Sequence, residues 1–74
     1  MRIISQNGNT DINYADYALI IDDNCILAQR GDKEYVLGSY STKENAENVL
    51  KDINDKYIKD YMVYRLPKDE DIEV

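Results

Sequence analysis

The segment from Ser41 to Lys59 reads STKENAENVLKDINDKYIK, and it decides the fold because the apolar pattern of the chain becomes helical there. One stripe of this segment is apolar at spacings of three and four residues: Ala46, Val49, Leu50, Ile53 and Tyr57. That spacing is typical of one face of an α-helix. On the opposite face each acid precedes a lysine by four residues: Glu47–Lys51, Asp52–Lys56 and Asp55–Lys59. Such pairs support a helix and neutralise its outer face.

The predicted helix covers about residues 42–59. Ser41 is followed by Glu44 three residues later, which is the pattern of a capping box, so we expect the Ser41 hydroxyl to cap the first turn. Beyond the helix, the apolar run 61–66 predicts a last strand that ends before Pro67.

Strands are predicted throughout the part of the chain that precedes the helix. Asn7-Gly8 is the preferred two-residue loop of a β-hairpin, since both positions need a positive φ. The run 17–21 is apolar at every position and suits a central strand. The turn formers 22–24 and Gly31-Asp32 then separate three strands of a meander.

These elements predict an α+β fold in the order β-β-β-β-β-α-β. We expect an antiparallel meander sheet of five to six strands with the amphipathic helix packed on one face. A chain of 74 residues forms one domain, predicted over residues 1–67, and residues 68–74 are expected to be a flexible acidic tail. One helix covers only one face of such a sheet, so the other face is expected to bind a partner or a second copy of the chain.

The composition excludes several classes of site. The chain has no histidine and one cysteine, which leaves no ligands for a structural zinc and no histidine to activate a nucleophile. Cys25 is expected to be a small buried side chain. We therefore expect no enzymatic activity, no catalytic residue, no metal and no cofactor. Without a long apolar stretch or a signal sequence, the protein is expected in the cytoplasm and away from membranes.

Charge and tyrosine content favour a protein partner. Nine basic and fifteen acidic residues give a net charge of −6, which argues against direct nucleic-acid binding and favours a partner with a basic surface. The chain contains seven tyrosines but no phenylalanine and no tryptophan. Tyrosine is common at protein interfaces, although it also suits strands. The candidate partner-binding residues are Asp22, Asp23, Tyr35, Tyr40, Tyr64 and Ile58.

Two alternatives stay open. In the first, an oligomer forms a pocket for a nucleotide-type signal and acts as a sponge, with Arg30, Arg65 and tyrosines as the ligand-binding residues. In the second, the chain is a structural or accessory protein that forms a homodimer through its open sheet face and binds no ligand.

The opening MRIISQNG at residues 1–8, with Asp11-Ile12 and Tyr14 after it, resembles the start of short uncharacterised proteins of phages and prophages of low-GC Gram-positive bacteria. The segment YSTKENAE at residues 40–47 is similar to the strand-to-helix junction of those proteins. This resemblance implies a mobile-element context, in which small acidic proteins without enzymatic activity inhibit host defences, anti-CRISPR proteins among them. The leading hypothesis is a protein-interaction module that inhibits a host defence protein such as a CRISPR effector.

Overall fold

The computed structural model describes residues 1–71, and within them six strands and one long helix follow the predicted order. Their bounds are β1 Arg2–Ile4, β2 Asp11–Asn13, β3 Ala18–Asp22, β4 Cys25–Arg30, β5 Lys33–Ser39, α1 Lys43–Ile58 and β6 Val63–Arg65. Two single-turn 3₁₀ helices cover Tyr14–Asp16 and Asp69–Asp71. The prediction of an α+β fold is confirmed.

The strands form two three-stranded sheets, so the prediction of one meander of five or six strands is wrong. One sheet has the order β3-β4-β5 and is the antiparallel meander expected from its turns. The other has the order β2-β1-β6. There β1 is antiparallel to β2 but parallel to β6, with Ile3 opposite Tyr64. Because α1 carries the chain back, β6 pairs with the first strand rather than extending the meander. The two sheets meet at Gln6, whose N–H donates to the Leu37 carbonyl at 2.7 Å.

The β1–β2 hairpin is present, but its loop is longer than the predicted two residues. The Ser5 N–H donates to the Thr10 carbonyl at 2.8 Å, which leaves Gln6 to Asn9 in the loop. Only Gly8 of this loop has a positive φ, at +80°. Asn7 acts through its side chain, which accepts from the Asn9 N–H at 2.9 Å. The Asn-Gly pair therefore forms an Asx turn within a wider loop.

The helix is capped by Thr42, so the predicted capping box at Ser41 is wrong. The Thr42 hydroxyl accepts from the Asn45 N–H at 3.0 Å, which is the usual N-cap bond. Ser41 is engaged elsewhere: its N–H and hydroxyl both donate to one carboxylate oxygen of Asp69, at 2.9 and 3.2 Å. Asp69 belongs to the predicted acidic tail, which is thus held at the start of α1. The remainder of that tail, residues 72–74, lies outside the described residues.

The core lies between the apolar stripe of α1 and the inner faces of both sheets. Ala46, Val49 and Ile53 are its helical members and are buried. The sheets and the connecting segments supply Ile3, Ile12, Ile26, Ala28, Leu37, Tyr40, Tyr64 and Leu66. Leu19 and Ile21 of β3 pack against this cluster, while Ile20 between them points to the other face of the sheet. Leu27 and Val36 share that outer face, and Val36 is 60 % exposed. The expected open sheet face is therefore present on β3-β4-β5.

Gly38 marks both a bulge and a close approach, as its position inside a predicted strand suggests. Ile26 lies opposite Gly38 but Leu27 lies opposite Val36, so β5 carries one extra residue. A Cβ atom on Gly38 would lie 2.9 Å from the Leu66 Cδ2 and 3.1 Å from the Tyr40 ring. A larger residue here would have to displace the buried side chains of Leu66 and Tyr40.

We expect Gly38→Ala to lower the free energy of unfolding by about 1–3 kcal/mol, because the added methyl group overfills a packed core. Urea denaturation followed by circular dichroism measures this change. Glu34→Ala, at an exposed position of the same strand, is the control and should stay within about 0.5 kcal/mol of the wild type. Equal stability of the Gly38→Ala variant and the wild type would show that a methyl group fits at position 38 without displacing Leu66 or Tyr40.

Candidate protein-binding surface

The structure separates the predicted partner-binding residues. Asp22 and Asp23 are exposed at the β3–β4 turn. Tyr35 lies on β5 and is 38 % exposed. Ile58 is the last residue of α1 and is 81 % exposed. The β3–β4 turn lies near the start of the helix, and 16 helical residues span about 24 Å, so Ile58 lies at the opposite end of the molecule.

Tyr40 and Tyr64 are core residues, which corrects their prediction as surface contacts. Tyr40 is 2 % exposed, and its hydroxyl donates to the Pro67 carbonyl at 2.9 Å. Tyr64 is 7 % exposed, and its hydroxyl donates to the Asp52 carboxylate at 2.8 Å. A tyrosine ring is buried readily when its hydroxyl finds such a partner. With no Phe or Trp in the chain, tyrosine supplies the aromatic side chains of the core.

These contacts shift the pKa values of the groups involved. Burial raises the pKa of Tyr40 to about 12, and the carboxylate of Asp69 adds to the effect. Burial, followed by the hydrogen bond to Asp52, raises the pKa of Tyr64 far above its usual range. Burial acts to raise the pKa of Asp52, but hydrogen bonds from Tyr64 and Lys56 outweigh it and lower that pKa.

The most exposed apolar surface of the described chain lies where α1 ends. Five of the seven residues from Tyr57 to Val63 are large and apolar and have exposed fractions of 44–84 %. We call these side chains the helix-end patch: Tyr57, Ile58, Tyr61, Met62 and Val63. Tyrosine and methionine are among the residues enriched at protein interfaces. Of the predicted contacts, Ile58 alone belongs to this patch.

Backbone hydrogen bonds hold the helix-end patch in place. The Tyr61 N–H donates to the Lys56 carbonyl and the Asp60 N–H to the Tyr57 carbonyl, both at 3.0 Å, which is the Schellman pattern. Asp60 adopts a φ of +65° there, in the position that glycine usually takes. The Met62 carbonyl then accepts from the Arg2 N–H at 2.9 Å. Exposed side chains on a fixed backbone lose less conformational entropy when they bind.

A stacked pair of tyrosines supports the same patch from the side. The rings of Tyr14 and Tyr57 have centroids 4.2 Å apart at an interplanar angle of 22°. The Tyr14 hydroxyl donates to the Asn54 side chain at 2.9 Å. This stacking orients the Tyr57 ring and adds aromatic surface beside the patch.

Three cations near the helix-end patch are paired. Lys56 contacts Asp52 at 3.1 Å, and Lys59 contacts Asp55 at 2.9 Å. Arg2 forms an ion pair with Asp11. Three of the nearest cations are thus neutralised, and the patch itself is apolar rather than charged.

The opposite end of the helix is acidic. The Tyr40 N–H donates to the Asn24 carbonyl at 2.9 Å, which places the Asp22-Asp23 turn beside Ser41 and Asp69. We call this group of acids the acidic end: Asp22, Asp23, Glu44, Asp69, Glu70 and Asp71. Within residues 1–71 these acids form no ion pair. The structure thus brings together the two acidic segments that the sequence keeps far apart.

Arg30 and Arg65, the predicted ligand-binding pair, lie in different sheets. Arg30 ends β4 and Arg65 ends β6. The cleft that Arg30 lines at the β4–β5 turn does not include Arg65. Arg30 instead lies beside Tyr17, with its guanidinium carbon 6.0 Å from the ring centroid.

Three further features of the described residues bear on the kind of site. Among the described residues, no group of three or more acids or cysteines could hold a metal ion. The helix of the described part of the chain is too short and too polar to cross a membrane. Cys25 is partly exposed rather than buried as predicted, because it lies on the outer face of β4, with its Sγ 3.7 Å from the Ser39 Oγ.

The sequence interpretation missed Tyr61 and Met62 as surface residues because it assigned them to the last strand. In the structure β6 begins only at Val63. A signal was available, since the apolar residues continue beyond Ile58 without keeping the period of a helix or of a strand.

The raised pKa of Tyr40 predicts a loss of stability at high pH. Its folded-state pKa of about 12 lies above the ordinary value of about 10, so its contribution is complete below pH 10 and is lost as the pH rises towards 12. We expect Tyr40→Phe to weaken this alkaline loss, as measured by urea denaturation between pH 8 and pH 11.5. Tyr35→Phe, at an exposed tyrosine, is the control and should keep the wild-type pH dependence. If the free energy of unfolding fell equally with pH in all three proteins, Tyr40 would not be the cause of the alkaline loss.

Comparisons of the chain with protein-family models, with curated proteins and with solved structures found no match. The resemblance of residues 1–8 and 40–47 to phage proteins therefore stays a prediction. The observations that bear on function are the helix-end patch and the separation of charge along the helix.

Proposed function

We propose that this protein is a non-enzymatic interaction module that binds a folded protein through the helix-end patch. The observation that carries the proposal is the exposure of five large apolar side chains within seven residues on a hydrogen-bonded backbone. A contiguous exposed apolar surface of this kind marks interaction sites in small proteins. Ile58 and Met62 are 81 % and 84 % exposed, and burying each of them stabilises a complex by about 1.5–3 kcal/mol before the costs of association are subtracted.

The partner we propose has an apolar groove next to a basic surface. The groove accommodates Ile58 and Met62, the two most exposed side chains of the patch. The net charge of −6 then attracts and orients a basic protein. A standard interface covers about 800 Å² on each partner, so it extends from the patch along much of the 24 Å helix towards the acidic end.

A second copy of the chain fits this surface less well. Two copies that meet at their patches bring two chains of charge −6 together, and Lys56 and Lys59 beside the patch already pair with acids of their own chain. We therefore propose a different protein as the partner, and a homodimer through the patch is an outcome that the test below distinguishes.

The resemblance to phage proteins supports a more specific proposal. In that context the partner is a host defence protein in the cytoplasm, such as a CRISPR effector, and binding inhibits it. Basic clefts that hold nucleic acid are common in such proteins, and an acidic module of this size competes for them by electrostatic attraction.

The double substitution Ile58→Glu and Met62→Glu should weaken partner binding by at least about 100-fold, because two buried apolar contacts are replaced by charges. Affinity capture from a host lysate identifies the partner, and titration calorimetry with the purified partner gives the dissociation constants. Val36→Glu is the matched control, since it makes the same change at an exposed apolar residue on another face. Equal binding by all three proteins would remove the patch from the interface. The wild type could instead sediment as a dimer at micromolar concentration while the double variant sediments as a monomer. That result would show that the patch binds a second copy of the chain.

The inhibitory role is tested in cells. Expression of the wild-type chain should raise the plating of a phage that is targeted by an active CRISPR system, and the Ile58→Glu, Met62→Glu variant should not. Val36→Glu should act as the wild type does. If the protein binds a partner but plating does not rise, the proposal of an interaction module stands and the proposal of a CRISPR inhibitor fails.

A further inference from the structure

A second surface, at the turn between β4 and β5, has a different chemistry. Tyr17, Arg30, Lys33 and Tyr35 line a cleft of about 370 Å³ together with the turn residues Gly31 and Asp32. Small-molecule sites commonly enclose about 300–1,000 Å³. The cleft contains none of the residues of the helix-end patch.

The strand register creates this cleft. Arg30 lies directly opposite Lys33 across the two-residue turn, and Ala28 lies opposite Tyr35 two positions further along. Opposite residues of an antiparallel pair project from the same face, so Arg30, Lys33 and Tyr35 stand on one side of the sheet. Gly31 adopts a φ of +63°, which allows the tight turn, and no atom lies within 4 Å of the position its Cβ would take.

Two tyrosine rings form one wall of the cleft. The rings of Tyr17 and Tyr35 meet edge to face, with centroids 6.1 Å apart. The guanidinium of Arg30 lies 6.0 Å from the centre of the Tyr17 ring. In the described part of the chain neither hydroxyl donates a hydrogen bond to the protein, unlike those of Tyr14, Tyr40 and Tyr64. Flat rings with free hydroxyls are suited to hold a planar polar ligand.

The two cations of the cleft lie directly opposite each other on neighbouring strands. Arg30 and Lys33 form no ion pair within residues 1–71, so no carboxylate of the described chain neutralises either of them. Like charges placed directly opposite each other destabilise a strand pair. Asp32 lies in the turn between them but contacts neither closely enough to form an ion pair. An anion held between the two side chains removes this repulsion.

We propose that this cleft binds a single nucleotide, with its phosphate between Arg30 and Lys33 and its base against the rings of Tyr17 and Tyr35. Arginine and lysine are the usual ligands of phosphate, and an aromatic ring can stack on any of the bases. A polynucleotide is excluded because the acids elsewhere on the surface repel an extended phosphate backbone. The site is complete in one chain and does not need Arg65 or a second copy.

The test is a titration of the isotope-labelled protein with GMP, with inorganic phosphate and with guanosine, followed by amide chemical shifts. GMP should shift the amides of residues 17 and 30–35, and it should bind at least about tenfold more tightly than phosphate or guanosine alone, because it engages both the cations and the rings. Repeating the titration with AMP measures the preference among bases.

Variants then assign the binding to the cleft. The double variant Arg30→Gln, Lys33→Gln should bind GMP at least about tenfold more weakly than the wild type. Tyr35→Leu should weaken the binding of GMP without changing the binding of phosphate. Arg65→Gln, which removes an exposed arginine from the other sheet, is the matched control and should bind as the wild type does. Arg30 and Lys33 are exposed, so the double variant should keep the dispersed spectrum of the folded protein.

Several results would overturn the proposal. They are the absence of shifts with GMP and AMP, equal binding of GMP and inorganic phosphate, or unchanged GMP binding by the Arg30→Gln, Lys33→Gln variant. The Ile58→Glu, Met62→Glu variant should still bind GMP, so failure of the nucleotide site and failure of the protein-binding patch are separate results.

Discussion

The structure depends on one constraint, which is that a single helix covers the inner faces of two small sheets. Ala46, Val49 and Ile53 are the helical side chains that do so, and each is buried. Each sheet has an apolar inner face, and such a face must be buried against another element. The position of α1 therefore determines which strand faces are inside, and it leaves the outer face of β3-β4-β5 and its own end exposed.

Tyrosine serves two roles in this chain because it is the only aromatic residue. Where a carbonyl or carboxylate lies within reach, as for Tyr40 and Tyr64, the ring is buried and the hydroxyl is satisfied. Where none lies within reach, as for Tyr35 and Tyr61, the ring stays partly exposed. Composition alone does not separate these two groups, since the difference lies in which neighbour the fold provides.

The charges divide the surface into regions with different chemistry. Ion pairs neutralise the cations next to the helix-end patch, whereas the acids at the start of α1 have no such partners within residues 1–71. Arg30 and Lys33 form a small basic region at the far turn of β4 and β5. A protein of net charge −6 thus carries an apolar, an acidic and a basic region on separate parts of its surface.

The elements and their order could be predicted from the sequence, because they follow from local periodicity and turn residues. The stripe from Ala46 to Tyr57 predicted the helix to within one residue at each end, and Gly31-Asp32 was correctly predicted as a turn. The pairing of β6 with β1, and the binding of Ser41 to Asp69 rather than to its own helix, were settled by the tertiary structure alone. Each of these depends on contacts between distant residues, whose free energy is set by the packing of the whole chain and leaves no local pattern.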